Sequence, residues 1–477
     1  MSGFADYEEY DALGLADLVR HGKVTPRDLL DAAIERVEAR NPAVNAVVTK
    51  LYDYGSQAIA DGLPDGPFLG VPFLMKDLTS PVAGVTMTRG SAFFADTPPA
   101  VADSEHVKRL RRAGLVIFGR TNTPELGLSL TCEPRLYGPT RNPWDLTRIS
   151  GGSSGGAAAA VAARMLPIAH ASDGFGSIRA PAACCGLVGL KPTRGRNTFA
   201  PFSGEGLGGL ATEHAVALTV RDSAALLDAT RGPGLGDPYL APPPAGAYLR
   251  EVGANPGKLR IAWTAKTPNG VEVEPECLSV LAETVTRCAA LGHRLEQRDP
   301  EIDGAAVVPT FLTLISANTV VNLGSHPSAG RSAHEAEVER ITWLTAKMGE
   351  GVRGADYVRA TQAAHRLGRQ MAAFHSEWDV LLTPGLATLP VKLGRLDMMM
   401  HDVEEYWRRV FAFSPFTVWF NLTGQPALML PLGQSAGGLP VAVQLVARFG
   451  DEATLFRLGA QLEAARPWFG RKPTVAS

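Results

Sequence analysis

The chain has 477 residues, 45% of them hydrophobic, enough to bury a large core. Its 46 Lys and Arg against 48 Asp and Glu leave a formal net charge of −2 with no long basic block, which argues against nucleic acid or another polyanion as partner. Five cysteines, two of them adjacent at Cys184 and Cys185, suggest no disulfide framework and point to a reducing compartment.

Met1 to Tyr10 is acidic and polar, unlike a secretory leader, so a cytoplasmic location is expected. Thr25-Pro26 has the cap and first-turn chemistry of a helix, in which Leu29, Leu30, Ala33, Ile34 and Val37 share one face through about Ala39. An apolar run of strand character, Val71 to Met75, ends at Lys76. Residues 102–114 read as a helix that leads into the strand Val116-Ile117-Phe118, and Arg141 to Arg148 is polar and turn-like. Ala157 to Arg164 reads as a buried helix of small residues, and Pro167 to Asp173 as a strand. The most apolar stretch, Ala157 to Ala171, is broken by Arg164 and Pro167, so no membrane-spanning segment is expected. Asp222 is placed as the cap of a helix ending before Gly232-Pro233-Gly234, and Pro233 to Pro244 is a long connector. A strand at Leu259 to Ala262 precedes helices near 275–290, 306–322, 335–349 and 352–375. There is no internal repeat, and the alternation of strands and helices predicts an α/β core.

The chemistry gathers in two small-residue loops. Gly151-Gly152-Ser153-Ser154-Gly155-Gly156 and Asp173-Gly174-Phe175-Gly176-Ser177-Ile178-Arg179 flank the alanine-rich segment. A serine hydroxyl needs a base to take its proton, and the oxyanion formed by its attack needs preorganised N–H donors. The amides of Gly174, Phe175, Gly176 and Ser177 are candidates for that oxyanion hole. Lys76 is the candidate base: a lysine titrates near pKa ~10.4 in water, and burial at the end of an apolar strand disfavours its charged form.

Competing motifs lack their contexts. Gly151-Gly152-Ser153-Ser154-Gly155 also fits a nucleophile elbow, but no buried strand is predicted ahead of it. Gly204-x-Gly206-x-x-Gly209 follows no strand and opens no clear helix, so it reads as a flexible loop rather than a dinucleotide site. The Gly151 to Gly156 loop is followed by no Gly-Lys-Ser/Thr of a phosphate cradle. The ten histidines are scattered without His-x-x-x-His or paired Cys-x-x-Cys, so neither a metal nor a cofactor is expected. His170 beside the second loop reads as a core histidine bonded to backbone.

Taken together these segments resemble the amidase signature family. The two loops are joined in that resemblance by Gly186-Leu187-Val188-Gly189-Leu190-Lys191-Pro192-Thr193, by Phe420-Asn421-Leu422-Thr423-Gly424-Gln425-Pro426 and by Gly438 to Val446 followed by Asp451 to Leu455. It runs from about residue 15 to 470, and only the lead-in Phe416 to Trp419 looks particular to this chain. The resemblance implies a large mixed β-sheet core surrounded by helices, a single domain over 1–477, and a variable helical region at 301–376 that overhangs the cleft. It also implies a triad of Lys76 as base, Ser153 as relay with a cis peptide, and Ser177 as nucleophile, forming an acyl-serine intermediate. Ser153 and Ser177 stand 24 residues apart, the separation seen in the family. The expected partner is a small-molecule amide, with esters and carbamates also open; a homodimer is compatible with the sequence. The family also contains glutamine-hydrolysing amidotransferase subunits, which act with partner chains and remain the alternative.

Three positions depart from the family's commonest pattern. Gly174 stands where threonine is frequent, Phe175 where glycine is usual and Ala157 where serine is frequent. The phenyl ring at 175 is expected to narrow or cap the acyl site. Thr131-Cys132-Glu133-Pro134 and Thr140-Arg141-Asn142-Pro143-Trp144 are most similar to the branch that opens 6-aminohexanoate cyclic dimers. In that branch a cysteine of the variable helices contacts substrate; Ser316 takes its place here as the candidate substrate contact.

Overall fold

Thirteen strands organise the residues described by this computed structural model, 4–324, 326 and 330–476. They are β1 Val47–Lys50, β2 Pro72–Lys76, β3 Val116–Thr121, β4 Arg141–Asn142, β5 Asp145–Ile149, β6 Ile168–Asp173 and β7 Val188–Lys191. The remainder are β8 Thr212–Ala217, β9 Arg260–Trp263, β10 Arg294–Gln297, β11 Val380–Pro384, β12 Ala427–Gln434 and β13 Pro440–Ala447. Eight of them form one mixed sheet in the order β10-β9-β11-β13-β12-β7-β8-β6. It is parallel across β10-β9-β11 and antiparallel from β11 to β6.

Alternating side chains make both faces of this sheet apolar. Leu428, Leu430, Val443 and Leu445 point into a core shared with the helices Pro275–Ala290 and Glu452–Ala465, whereas Met429, Ala442 and Val446 enter the larger core on the other face. The fold is therefore the α/β arrangement expected, a large mixed sheet with helices around it. A second, three-stranded sheet in the order β1-β3-β2 brings β2 against β6, where the Lys76 N–H donates to His170 Nδ1 at 3.3 Å.

Most predicted elements are present, with instructive shifts. The first long helix, Pro26–Val44, carries the Thr25 cap but continues past Ala39 and through Pro42 before Asn45 ends it in the left-handed region. The helix Val220–Thr230 is capped by Thr219, not by Asp222; the Asp222 carboxylate instead accepts the N–H groups of Ala12 and Leu13 at the start of the helix Ala12–Arg20. Arg141 to Arg148 is not simply a turn, because β4 and β5 form a short hairpin whose outer residues face solvent. The second helix of the variable region begins at Arg340, after a short turn at Glu335–Glu337, rather than at 335.

The stretch to weigh as a spanning candidate is not Ala157 to Ala171 but Gly304–Leu323, which at 20 residues is long and apolar enough to cross a membrane by length and composition alone. Its apolarity has a local use. Phe311, Leu314 and Ile315 are buried, and the helix Val307–Leu323 packs on Arg340–Glu350 and Gly354–Glu377.

Candidate active site

Lys76 closes a wholly buried strand, so its ammonium has no water to retreat to. Burial is the largest influence on it and pulls its pKa down to about 7, against the weaker opposing fields of Glu213, Cys132 and Asp173. Its Nζ lies 2.7 Å from Ser153 Oγ, 3.0 Å from Ser154 Oγ and 3.1 Å from Ser172 Oγ. Ser153 follows a cis peptide from Gly152. Glycine is required at 152 by contact: a Cβ there would stand 2.4 Å from the Thr131 carbonyl oxygen. The loop then enters the helix Gly155–Ala162, every residue of which is buried.

The second serine sits on a turn tied down by one carboxylate. Asp173, the last residue of β6, accepts the N–H groups of Gly176 (2.7 Å) and Ile178 (3.1 Å) and pairs with Arg179 Nε at 2.9 Å. Burial pushes the Asp173 carboxyl up, but Arg179 and Asn421 outweigh it and hold the pKa well below the usual range. Arg179 also donates to the Thr417 carbonyl (2.9 Å), Gln444 Oε1 (2.8 Å) and Asn421 Oδ1 (2.7 Å), all within the core. Thr417 Oγ1 donates to the Phe175 carbonyl at 2.7 Å. Gly176 has φ +130, and a Cβ there would meet Thr417 Oγ1 at 2.5 Å, so only glycine fits. Ser177 and Ser154 are joined by a backbone bond from Ser154 N–H to the Ser177 carbonyl at 3.2 Å.

Ser153 and Ser177 open onto one cavity of about 510 Å³, lined also by Gly174 and Phe175. The sequence candidates Lys76, Ser153, Gly174, Phe175, Gly176 and Ser177 thus fall in one place. The Gly176 N–H is occupied by Asp173, whereas those of Gly174, Phe175 and Ser177 make no hydrogen bond among the described residues. The Phe175 ring is part of an aromatic wall, with its centroid 4.7 Å from Phe311 and 5.1 Å from Phe411. Phe311, Ile315 and Asn318 of the helix Val307–Leu323 line the cavity, but Ser316 does not. The Ser316 hydroxyl turns back to the Leu312 carbonyl at 2.6 Å, and its backbone packs on Gly349, so it is corrected to a helix-packing residue.

Behind Lys76 lies a group that the scattered histidines of the sequence did not foretell. His106, His170 and Glu213 are all buried, with ligand atoms within 4.8 Å of one another. The His170 ring has a settled tautomer: Nδ1 accepts the Lys76 N–H, so Nε2 carries the proton and donates to Glu213 at 2.5 Å. In that tautomer the His170–Glu213 pair is a hydrogen-bonded support for Lys76, whereas both ring nitrogens of His106 have no hydrogen-bond partner among the described residues. His170 is accordingly a core histidine bonded to backbone, as expected, with a buried carboxylate on its other side.

The mixed α/β fold thus holds a buried lysine among serines at the edge of one cavity. The chain belongs to the amidase family, whose pattern matches residues 28–456, and is an amide-cleaving hydrolase. It is similar to the 6-aminohexanoate-cyclic-dimer hydrolases of Pseudomonas sp. (strain NK87) and Paenarthrobacter ureafaciens, each 37% identical over 98% of this chain and 96% of the relative. A solved structure of a 6-aminohexanoate cyclic dimer hydrolase complexed with substrate superimposes with a TM-score of 0.94 at 36% identity, covering 99% of this chain and 100% of that one. A bacterial aryl acylamidase matches at TM-score 0.87 and 25% identity over 96% of each chain. A glutamyl-tRNA(Gln) amidotransferase component of Thermotoga maritima matches at TM-score 0.80 and 25% identity, over 98% of this chain and 97% of that one.

Proposed function

We propose that Ser177 Oγ attacks the carbonyl carbon of a carboxylic amide while Ser153 takes its proton and passes its own to neutral Lys76. The proton then returns by the same route to the departing nitrogen, the C–N bond breaks, and water hydrolyses the acyl ester left on Ser177. The observation that carries this reading is the 2.7 Å contact between Ser153 Oγ and a lysine whose pKa burial brings down to about 7. Hydrogen-bond directions support it further. Ser154 gives its own O–H to the Ser172 carbonyl (3.3 Å) and so accepts from Lys76; with Ser172 as a second acceptor, the lone pair of a neutral amine is left for Ser153. The free N–H groups of Gly174, Phe175 and Ser177 are the proposed oxyanion donors.

The substrate class we favour is a cyclic or linear oligoamide, with aryl amides and carbamates as further candidates, following the similarity to cyclic-dimer hydrolases and an aryl acylamidase. The alternative of a glutamine-hydrolysing amidotransferase component has only the more distant likeness and is not favoured. All five cysteines are buried and free, which supports the reducing setting of a cytoplasm. The test is turnover of linear, cyclic and aryl amides and carbamates by the chain alone, without ATP or tRNA, with mass spectrometry of a trapped acyl-enzyme. Ser177→Ala is expected to lose about 10⁴-fold or more in kcat and to trap no acyl group. Full turnover by Ser177→Ala would refute the mechanism.

A further inference from the structure

Arg89 carries the one positive charge among the described residues that line the cavity. Its guanidinium makes no hydrogen bond and no ion pair among those residues; its neighbour is the face of Phe94, 4.8 Å from the ring centroid. Asp77, the acid whose field reaches it, is already engaged by the Thr88 hydroxyl at 2.5 Å and faces Arg120 at 3.9 Å. Glu205, the one acid on the lining, is exposed and forms no ion pair with Arg89. Burial pulls the Arg89 pKa down, the mark of a cation short of compensation.

The fold fixes where this side chain starts. Arg89 has a left-handed backbone with φ +55, its carbonyl accepts the Leu126 N–H at 2.9 Å, and Gly90 follows at φ +66. A Cβ at Gly90 would meet the Thr123 carbonyl oxygen at 2.4 Å, so only glycine fits beside it. A non-glycine residue held in this region costs free energy, and leaving a half-buried guanidinium without a carboxylate adds a desolvation cost. A bound carboxylate would offset both through charge-assisted, two-pronged hydrogen bonds.

We propose that Arg89 receives a carboxylate of the substrate, so that the amide cleaved here carries a free acid group at a fixed reach from its scissile bond. The assignment rests on the cavity being the amide-cleaving site. Within the oligoamide class favoured above it selects the linear, acid-bearing members, such as ω-acylamino acids or half-amides of dicarboxylic acids, over cyclic and other neutral amides.

Calorimetric titration of Ser177→Ala protein separates binding from turnover. The probes are 6-acetamidohexanoate, with its acid on the amine side; N-butyladipamate, with its acid on the acyl side; and neutral N-hexylacetamide. At least one acid is expected to bind about 30-fold more tightly than the neutral amide, and the better acid tells which side of the scissile bond faces Arg89. Arg89→Met in the same background is expected to abolish that advantage while leaving N-hexylacetamide within about 3-fold, and Arg89→Lys to keep part of it. Equal binding of acids and neutral amide before any substitution at Arg89 overturns the proposal, whether or not Arg89→Met folds. So does an advantage that survives Arg89→Met, or a parallel loss for all three probes. Should Ser177→Ala keep turning over amides, the mechanism falls while the binding ratios still decide the role of Arg89.

Discussion

Lys76 serves as a base only when it is neutral, which puts its ionisation directly into the rate. Protonated below its folded pKa, it has no lone pair to give, so kcat/KM should climb with pH and level off above about 7. Glu213 raises that pKa by its field, and although burial pushes its own carboxyl up, the His170 contact outweighs burial and holds it down to about 2, so it is anionic throughout this range. Removing the anion must move the rise to lower pH. Glu213→Gln is therefore expected to shift the acid limb of kcat/KM down by roughly half a unit to one unit. A pH profile of the variant checks this, and a limb that stays in place or moves upward counts against Lys76 as the titrating base. The buried lysine proposed as base was legible, because Val71 to Met75 is a run of buried apolar residues with a lysine at its end. Its neighbours Ser172 and Glu213 were not, since they arrive from β6 and β8, about a hundred residues or more away in sequence.

The turn that carries Ser177, the proposed nucleophile, between β6 and the helix Arg179–Cys185 is held from within by Asp173 and from outside by the segment that covers it. Thr417 holds the Phe175 carbonyl and sits where any side chain at 176 would go. Thr417→Val keeps the volume but removes the hydroxyl, which should lower kcat about 10-fold or more with little change in KM, because the peptide joining Phe175 to Gly176, and with it the turn that presents Ser177, loses an anchor. Gly176→Ala should be more damaging, since φ +130 and the 2.5 Å approach to Thr417 both oppose a methyl group. Steady-state kinetics on the two variants tests the ordering; equal losses, or a pure KM effect in Thr417→Val, would contradict it. Phe175 was expected to restrict the acyl site, and its ring does stand on the cavity wall against Phe311 and Phe411. Phe175→Gly should thus widen the range of acyl groups accepted, read as a relative gain in kcat/KM for bulky over small acyl amides. The turn was readable from Gly-Ser-Ile-Arg. The clamp was not: Phe416 to Trp419 looked peculiar to this chain, and its role depends on contacts some 240 residues distant in sequence.

Across the whole molecule, the alternation of strands and helices was enough to infer the α/β class, but the sheet order was not, because β12 and β13 insert between strands that precede them in the chain by about fifty to two hundred and fifty residues. Nor were the stitches that hold distant segments together. The helix Glu452–Ala465 reaches back with two carboxylates: Glu452 accepts the Thr193 N–H and pairs with Arg196, and Glu463 faces the Val220 N–H at the start of the helix Val220–Thr230. Asp222, one turn on, caps the helix Ala12–Arg20, so the beginning, middle and end of the chain meet around these acids and Arg221. Burial, followed by the field of Asp11, raises the Glu463 pKa to about 7 from a reference of 4.5. A carboxyl with a raised folded pKa is protonated in the native state below about pH 7, and its stabilising contribution is progressively lost as pH rises through that value. Glu463→Gln mimics the protonated side chain and should abolish this loss. The variant is expected to gain about 1 to 3 kcal/mol over the parent at pH 8 and to match it near pH 4.5, as measured by urea unfolding across that interval. A gain that is constant with pH, or one that grows toward acid, would mean that Glu463 is already ionised in the folded protein at neutral pH, and that Arg221 carries the three-way junction by charge alone.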